Sequence, residues 1–94
     1  MSTPFQVITP PACERDARRI TRRNPKVASI LEELITVLEV DPYNRTRQYD
    51  ITKLTGVKPG MGQWRIRQGD YRLRYDIFHR DVVLYSFRDR KDVY

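Results

Sequence analysis

The stretch Trp64-Arg65-Ile66-Arg67-Gln68-Gly69-Asp70-Tyr71-Arg72-Leu73-Arg74-Tyr75 decides the fold, because two alternating segments flank a Gly-Asp pair. Alternation with a period of two marks strands with one buried face, and Gly-Asp between them is a hairpin signal. The spacing predicts a strand from about Gln63 to Gln68 and a return strand from Tyr71 to Phe78. Closed at that turn, the hairpin sets Trp64 opposite Tyr75 and Ile66 opposite Leu73, an apolar layer for helices to cover. The other face sets Arg65 against Arg74 and Arg67 against Arg72. Like charges directly opposite one another disfavour a sheet, and broken local rules gather at functional sites. A polyanion on that face would relieve the repulsion, since phosphate oxygens suit guanidinium forks. The alternative is a solvated face neutralised by Asp50, Asp70 and Asp76.

Downstream, Arg80 and Asp81 mark another turn, with His79 a surface residue there, and Val82 to Arg88 reads as a nearly continuous apolar strand, hence a central one. Strict alternation along it places Arg88, two positions after Ser86, on the face opposite Val83, Tyr85 and Phe87, where it extends the arginine patch. Upstream, Lys58-Pro59-Gly60-Met61-Gly62 is a turn, and the polar stretch from Tyr43 to Asp50 reads as a mobile loop. Val27, Ile30, Leu31, Leu34, Ile35 and Leu38 fall at helical spacing, predicting a helix from Pro25, capped by Asn24, to about Val40. Asp41 and Pro42 end it. A first helix runs from about Pro11 to Arg23, with a narrow stripe of Ala12, Cys13, Ala17 and Ile20 and an exposed basic side. Phe5 to Thr9 is a short opening strand. The expected fold is therefore α+β in one domain, residues 1–94: an N-terminal strand, a two-helix hairpin, then a three-stranded antiparallel sheet.

The chain has 94 residues and net charge +6, and of its 18 Lys and Arg all but Lys26, Lys53, Lys58 and Lys91 are arginine. Residues 1–43 carry six cations and six anions, so the whole excess lies in residues 44–94. Nine of the ten aromatic residues also lie after position 40. A basic, aromatic half is the footprint of a nucleic-acid surface. Cys13 is the only cysteine and His79 the only histidine, which excludes a disulfide framework and a Cys/His zinc site within one chain. No apolar run approaches the roughly 18 residues needed to span a bilayer, and no signal peptide is visible. A cytoplasmic protein without membrane association, metal or cofactor is expected.

Four pieces, in order on a small basic chain, resemble the RelE/ParE superfamily of bacterial and archaeal type II toxins. They are Lys53-Leu54-Thr55-Gly56, Trp64-Arg65-Ile66-Arg67, Gly69-Asp70-Tyr71-Arg72-Leu73-Arg74-Tyr75 and Arg88-Asp89-Arg90-Lys91-Asp92-Val93-Tyr94. The RelE branch, as the resemblance implies, enters the ribosomal A site and cuts mRNA without a metal. The 2'-hydroxyl attacks its neighbouring phosphate and leaves a 2',3'-cyclic phosphate and a 5'-hydroxyl. Carried over, the resemblance implies Arg65 and Arg67 at two active-site lysine positions, Arg72 and Arg88 at the scissile phosphate, and Tyr94 stacking on and orienting the nucleotide. It further implies RNA or ribosome contacts at Lys53, Trp64, Arg74, Arg90 and Lys91, and a cognate antitoxin in a hetero-oligomeric complex. Arginine stays charged where lysine can deprotonate, so Arg65 and Arg67 are poor bases. Tyr94, the terminal carboxylate, and Asp89 or Asp92 are the alternatives.

The rival expectation is ParE-like, a DNA gyrase inhibitor without nuclease chemistry. Arg72, Arg88 and Tyr94 together favour the RelE branch. A plain RNA-binding module, or a toxin that has lost activity, is a third reading.

Overall fold

The computed structural model describes residues 4–92. Its elements follow in the order β1 (Gln6–Ile8), α1 (Pro11–Arg23), α2 (Val27–Val40), β2 (Ile51–Lys53), β3 (Trp64–Gln68), β4 (Tyr71–Phe78), β5 (Asp81–Asp89) and a closing 3-10 turn, Arg90–Asp92. All five strands join one mixed sheet in the order β1-β5-β4-β3-β2. β1 runs parallel to β5, and the other pairings are antiparallel.

The hairpin register is the one that alternation dictates. Trp64 pairs with Tyr75, Arg65 with Arg74, Ile66 with Leu73 and Arg67 with Arg72. Gly69, at the first central position of the turn, has φ +59, which glycine adopts without a Cβ clash. Both helices pack on the apolar face of the sheet. Cys13 and Ile20 of α1 and Val27, Leu34 and Leu38 of α2 meet Ile66, Leu73, Tyr75, Val82, Leu84 and Phe87 in one buried core.

Three details depart from the expected architecture. The sheet has two more pairings than a three-stranded meander. β1 is added in parallel beside β5, and the three residues of β2 pair with the outer edge of β3. Thr52 and Lys53 are exposed, so β2 is too short and too polar to show an alternation of its own. Second, α2 begins at Val27. Pro25 and Lys26 form a turn, in which Asn24 Oδ1 accepts the Lys26 amide at 3.3 Å and the Asn24 carbonyl accepts the Val27 amide at 3.0 Å.

Third, β5 carries a bulge. Arg74 pairs with Ser86 but the adjacent Tyr75 pairs with Leu84, so Tyr85 is the extra residue. A bulge shifts the alternation by one residue. Val82, Leu84 and Phe87 consequently all face the core. Val83, Tyr85 and Arg88 share the opposite face, and only Phe87 of the three residues expected across from Arg88 lies there.

The stretch between α2 and β2 is tied to itself rather than loose. The Asp41 carboxylate accepts the Arg45 amide at 2.8 Å, the Thr46 amide at 3.1 Å and the Thr46 hydroxyl at 2.6 Å. Asn44 bridges to Tyr49 through both its side-chain atoms, donating to the carbonyl at 2.9 Å and accepting the amide at 3.2 Å. Burial opposes ionisation of Asp41, but the Thr46 hydroxyl, the two amides and the Arg45 charge outweigh it and hold the carboxyl below its ordinary value. The Tyr75 hydroxyl donates to the Pro42 carbonyl at 2.7 Å and so fastens this corner to the sheet.

Candidate phosphate-binding face

The sheet face away from the helices carries arginines from three adjacent strands. Arg65 stands across from Arg74, Arg67 from Arg72, and Arg72 in turn from Arg88 on β5. Arg65, Arg72, Arg74 and Arg88 wall a hollow of about 450 Å³, with Leu54, Tyr85 and Ser86 completing its lining. A smaller hollow of about 210 Å³, lined by Arg67, Gly69, Asp70, Arg72 and Arg90, adjoins it through the shared Arg72.

The repulsion among these cations is relieved unevenly, and the unevenness sorts them by role. Arg67 Nε donates to Asp50 Oδ2 at 2.8 Å, an exposed pair at the β2 side of the sheet. Arg74 is anchored by backbone: its Nε donates to the Gly62 carbonyl at 3.0 Å and its Nη2 to the Met61 carbonyl at 2.7 Å. Its guanidinium also lies over the Tyr85 ring, 5.3 Å from the centroid. Arg88 reaches around the free edge of β5 to the Asp16 carboxylate of α1 and donates to its neighbour's carbonyl, Phe87 O, at 3.3 Å. Arg65 Nε is buried without a hydrogen-bond partner. The Arg72 side chain makes no ion pair or hydrogen bond with another described residue. Unsatisfied buried donors are uncommon and costly, so Arg65 Nε is a strained point of this face, and Arg72 is the arginine of the hollow whose donors are uncommitted among the described residues.

The carboxylates expected to neutralise the face do so only in part. Asp76 is 3% exposed and accepts the amides of Gly60 at 3.0 Å, Gly62 at 2.9 Å and Gln63 at 3.0 Å, which moulds the turn before β3. Asp70 sits in the hairpin turn, where its carbonyl accepts the Arg90 amide at 2.7 Å. Of the three, only Asp50 pairs with an arginine of the face.

The other expected contact residues divide by position. Arg90 joins the smaller hollow. Trp64 lies on the helix side, stacked on Tyr75 at 6.5 Å and edge-on to Tyr43 at 5.5 Å, with Lys53 Nζ 5.7 Å above its ring. Neither Trp64 nor Lys53 lines the arginine hollow. Lys91 faces a separate hollow near the end of α1, with Ile20, Arg23 and Asn24. Tyr94 lies outside the described residues. Tyr85 is the residue that sequence reasoning missed: strict alternation gives it to the buried side, and only the bulge turns it outward, 39% exposed, into the arginine hollow.

This set of side chains holds a phosphate well and moves a proton poorly. Guanidinium groups stay protonated, and besides them the hollow offers one phenol and one hydroxyl, Tyr85 and Ser86. Among the described residues no group of three or more His, Cys, Asp or Glu side chains gathers to hold a metal.

Two helices on one face of a five-stranded mixed sheet, with an arginine-walled hollow on the other, define a RelE-like toxin fold. The chain is similar to the crystal structure of the toxin–antitoxin complex RelBE2 from Mycobacterium tuberculosis, with 25% sequence identity and a TM-score of 0.69, covering 93% of this chain and 99% of that one. No protein-family model and no curated protein sequence matches. The likeness supports a type II toxin.

Proposed function

We propose that the chain is the toxin of a type II toxin–antitoxin pair and that it cuts mRNA in the ribosomal A site. The observation that carries this reading is the meeting of Arg65, Arg72 and Arg88, from three different strands, around one hollow in which the Arg72 side chain has no partner among the described residues. A dianionic phosphorane needs preorganised positive charge where charge develops; Arg72 offers uncommitted donors, and Arg88 is held beside it by its ion pair with Asp16.

In the proposed reaction the ribose 2'-oxygen bonds to the adjacent phosphorus as the bond to the 5'-oxygen breaks. The 2'-hydroxyl proton leaves to a base, and a proton returns to the departing oxygen. Arg72 and Arg88 hold the non-bridging oxygens, with Arg88 also beside the leaving oxygen, and Arg65 neutralises charge from the third strand. Tyr94 is proposed to stack on and orient the attacking nucleotide. Arg67 and Arg90 extend the positive track, and the proton acceptor comes from the chain's C-terminal residues or from the ribosome. The antitoxin would cover the arginine face with an acidic segment.

Primer extension on mRNA in a translating extract tests the proposal. Cuts in register with codons, ending in a 2',3'-cyclic phosphate, are the expected result. Intact mRNA together with blocked DNA supercoiling would replace it with the gyrase-inhibitor reading.

A further inference from the structure

We propose that Tyr85 is a stacking platform for a single-stranded RNA base beside the phosphate held by Arg72 and Arg88, an inference that rests on the mRNA-cutting reading above. The bulge in β5 spends one residue to turn this ring away from the core and into the arginine hollow. Bulges beside active sites act in this way, re-aiming one side chain at the cost of ladder pairing. A tyrosine in an unbulged strand at this position would have filled the core.

The ring is held rather than merely exposed. Arg74 covers it at 5.3 Å, and the Arg74 guanidinium is anchored by the carbonyls of Met61 and Gly62. Gly62 packs so closely that a Cβ there would lie 2.7 Å from Tyr85 Cδ2 and 3.0 Å from Arg74 Nε. The Gly62 segment is in turn fixed by three amide hydrogen bonds to buried Asp76. A chain of contacts from Asp76 through the glycine turn and Arg74 therefore fixes the plane of one aromatic ring. Arg74 is thereby a positioning residue and not a phosphate ligand.

Tyr85 nevertheless stays 39% exposed and lines a hollow of about 450 Å³ walled by cations, within the roughly 300–1,000 Å³ typical of small-molecule sites. A preorganised aromatic beside fixed positive charge is the pairing by which proteins hold single-stranded nucleic acid: cations take the backbone and the ring takes a base, with little regard for sequence. An acidic protein segment would use the arginines but has no need of a flat ring held in one plane.

The test uses the full chain with Tyr85→Ala and Tyr85→Phe. Cleavage is read in the translating extract, and binding is read by anisotropy with a short RNA oligonucleotide carrying a 2'-deoxy sugar at the cleavable position. A second oligonucleotide lacks one base beside that sugar. Tyr85→Ala should lose cleavage and affinity by about tenfold to a hundredfold, and Tyr85→Phe should rescue both. Removing the base should weaken binding by the wild-type chain but not further weaken binding by Tyr85→Ala. The inference is overturned if Tyr85→Ala binds the intact oligonucleotide as the wild type does, if phenylalanine fails to rescue, if base removal costs both proteins equally, or if the alanine variant loses antitoxin affinity alone. Tyr85-dependent, base-dependent binding by a chain that never cuts mRNA would uphold the platform and overturn the mRNA-cutting reading instead.

Discussion

At the scale of single residues, the arginines of one face look alike in the sequence and differ in the fold. Arg74 spends its donors on backbone carbonyls, Arg67 on Asp50, and Arg72 on no described partner. Alternation alone shows which face they occupy. It cannot show which are occupied, because the partners come from the turn before β3 and from Asp50, just ahead of β2. If the hollow cuts RNA, Arg72→Ala and Arg88→Ala should each slow cleavage at least about a hundredfold, the scale of losing one preorganised charge donor. Circular dichroism should meanwhile report an intact fold, and primer extension showing near-normal cutting by both variants would remove them from the site. Cys13 gives a prediction independent of function. Burial, and next the nearby Asp16, push its thiol up to about 11, against the opposing pull of Arg88. The thiolate is the reactive form, so the native protein at pH 8 should resist alkylation and become reactive only when unfolded in urea. Rapid stoichiometric labelling of the native chain would contradict the buried, neutral thiol.

At the scale of elements, the hairpin was readable to the residue because an alternating strand, a Gly-Asp turn and a second alternating strand agree with one another. The helices were readable from their apolar spacing, although Pro25 starts a turn before α2 and not the helix itself. The bulge in β5 was not, because an uninterrupted run such as Val82-Val83-Leu84-Tyr85 is apolar on both faces and leaves no break in pattern to betray a shifted register. β2 escaped for a different reason: its pairing is created by the edge of β3 and not by its own three residues. The polar segment after α2 likewise reads as a loose loop until Asp41 is seen to collect three hydrogen bonds. Replacing that carboxylate removes three hydrogen bonds to a charged acceptor, so Asp41→Ala should cost about 1.5–3 kcal/mol in urea unfolding. The sign of its pH dependence follows from the lowered pKa. The contribution is full above the unfolded value of about 3.9 and is lost as pH falls through the lower folded value. The stability gap between the wild type and Asp41→Asn should therefore be constant near neutrality and close below about pH 4. A gap that persists unchanged into strong acid would show that the carboxylate charge is not what orders the segment.

At the scale of the whole molecule, dividing the charge along the chain hides part of its distribution in space. Residues 1–43 are neutral in sum, yet α1 carries five arginines against Glu14 and Asp16, and the charges within α2 are all acidic. Arg15, Arg18, Arg19, Arg22 and Arg23 line one shallow hollow on the exposed side of α1, whereas Glu32, Glu33 and Glu39 belong to α2. The fold thus carries two basic surfaces back to back, one on α1 and one on the outer face of the sheet, with the core between them. Net charge makes both attractive to a polyanion, but only the sheet face combines cations from several strands with an aromatic ring and an unpartnered buried donor. The two can be told apart by counterion release, because each phosphate contact with single-stranded nucleic acid contributes about 0.7 to the slope of log affinity against log salt. If the sheet face holds the RNA, Arg72→Ala should lower the slope for a short oligonucleotide by about that amount, whereas Arg15→Ala and Arg22→Ala on α1 should leave it unchanged. Equal losses from both surfaces would mean that the oligonucleotide follows overall charge, and the sheet face would then have no special claim as the place where one phosphate is held.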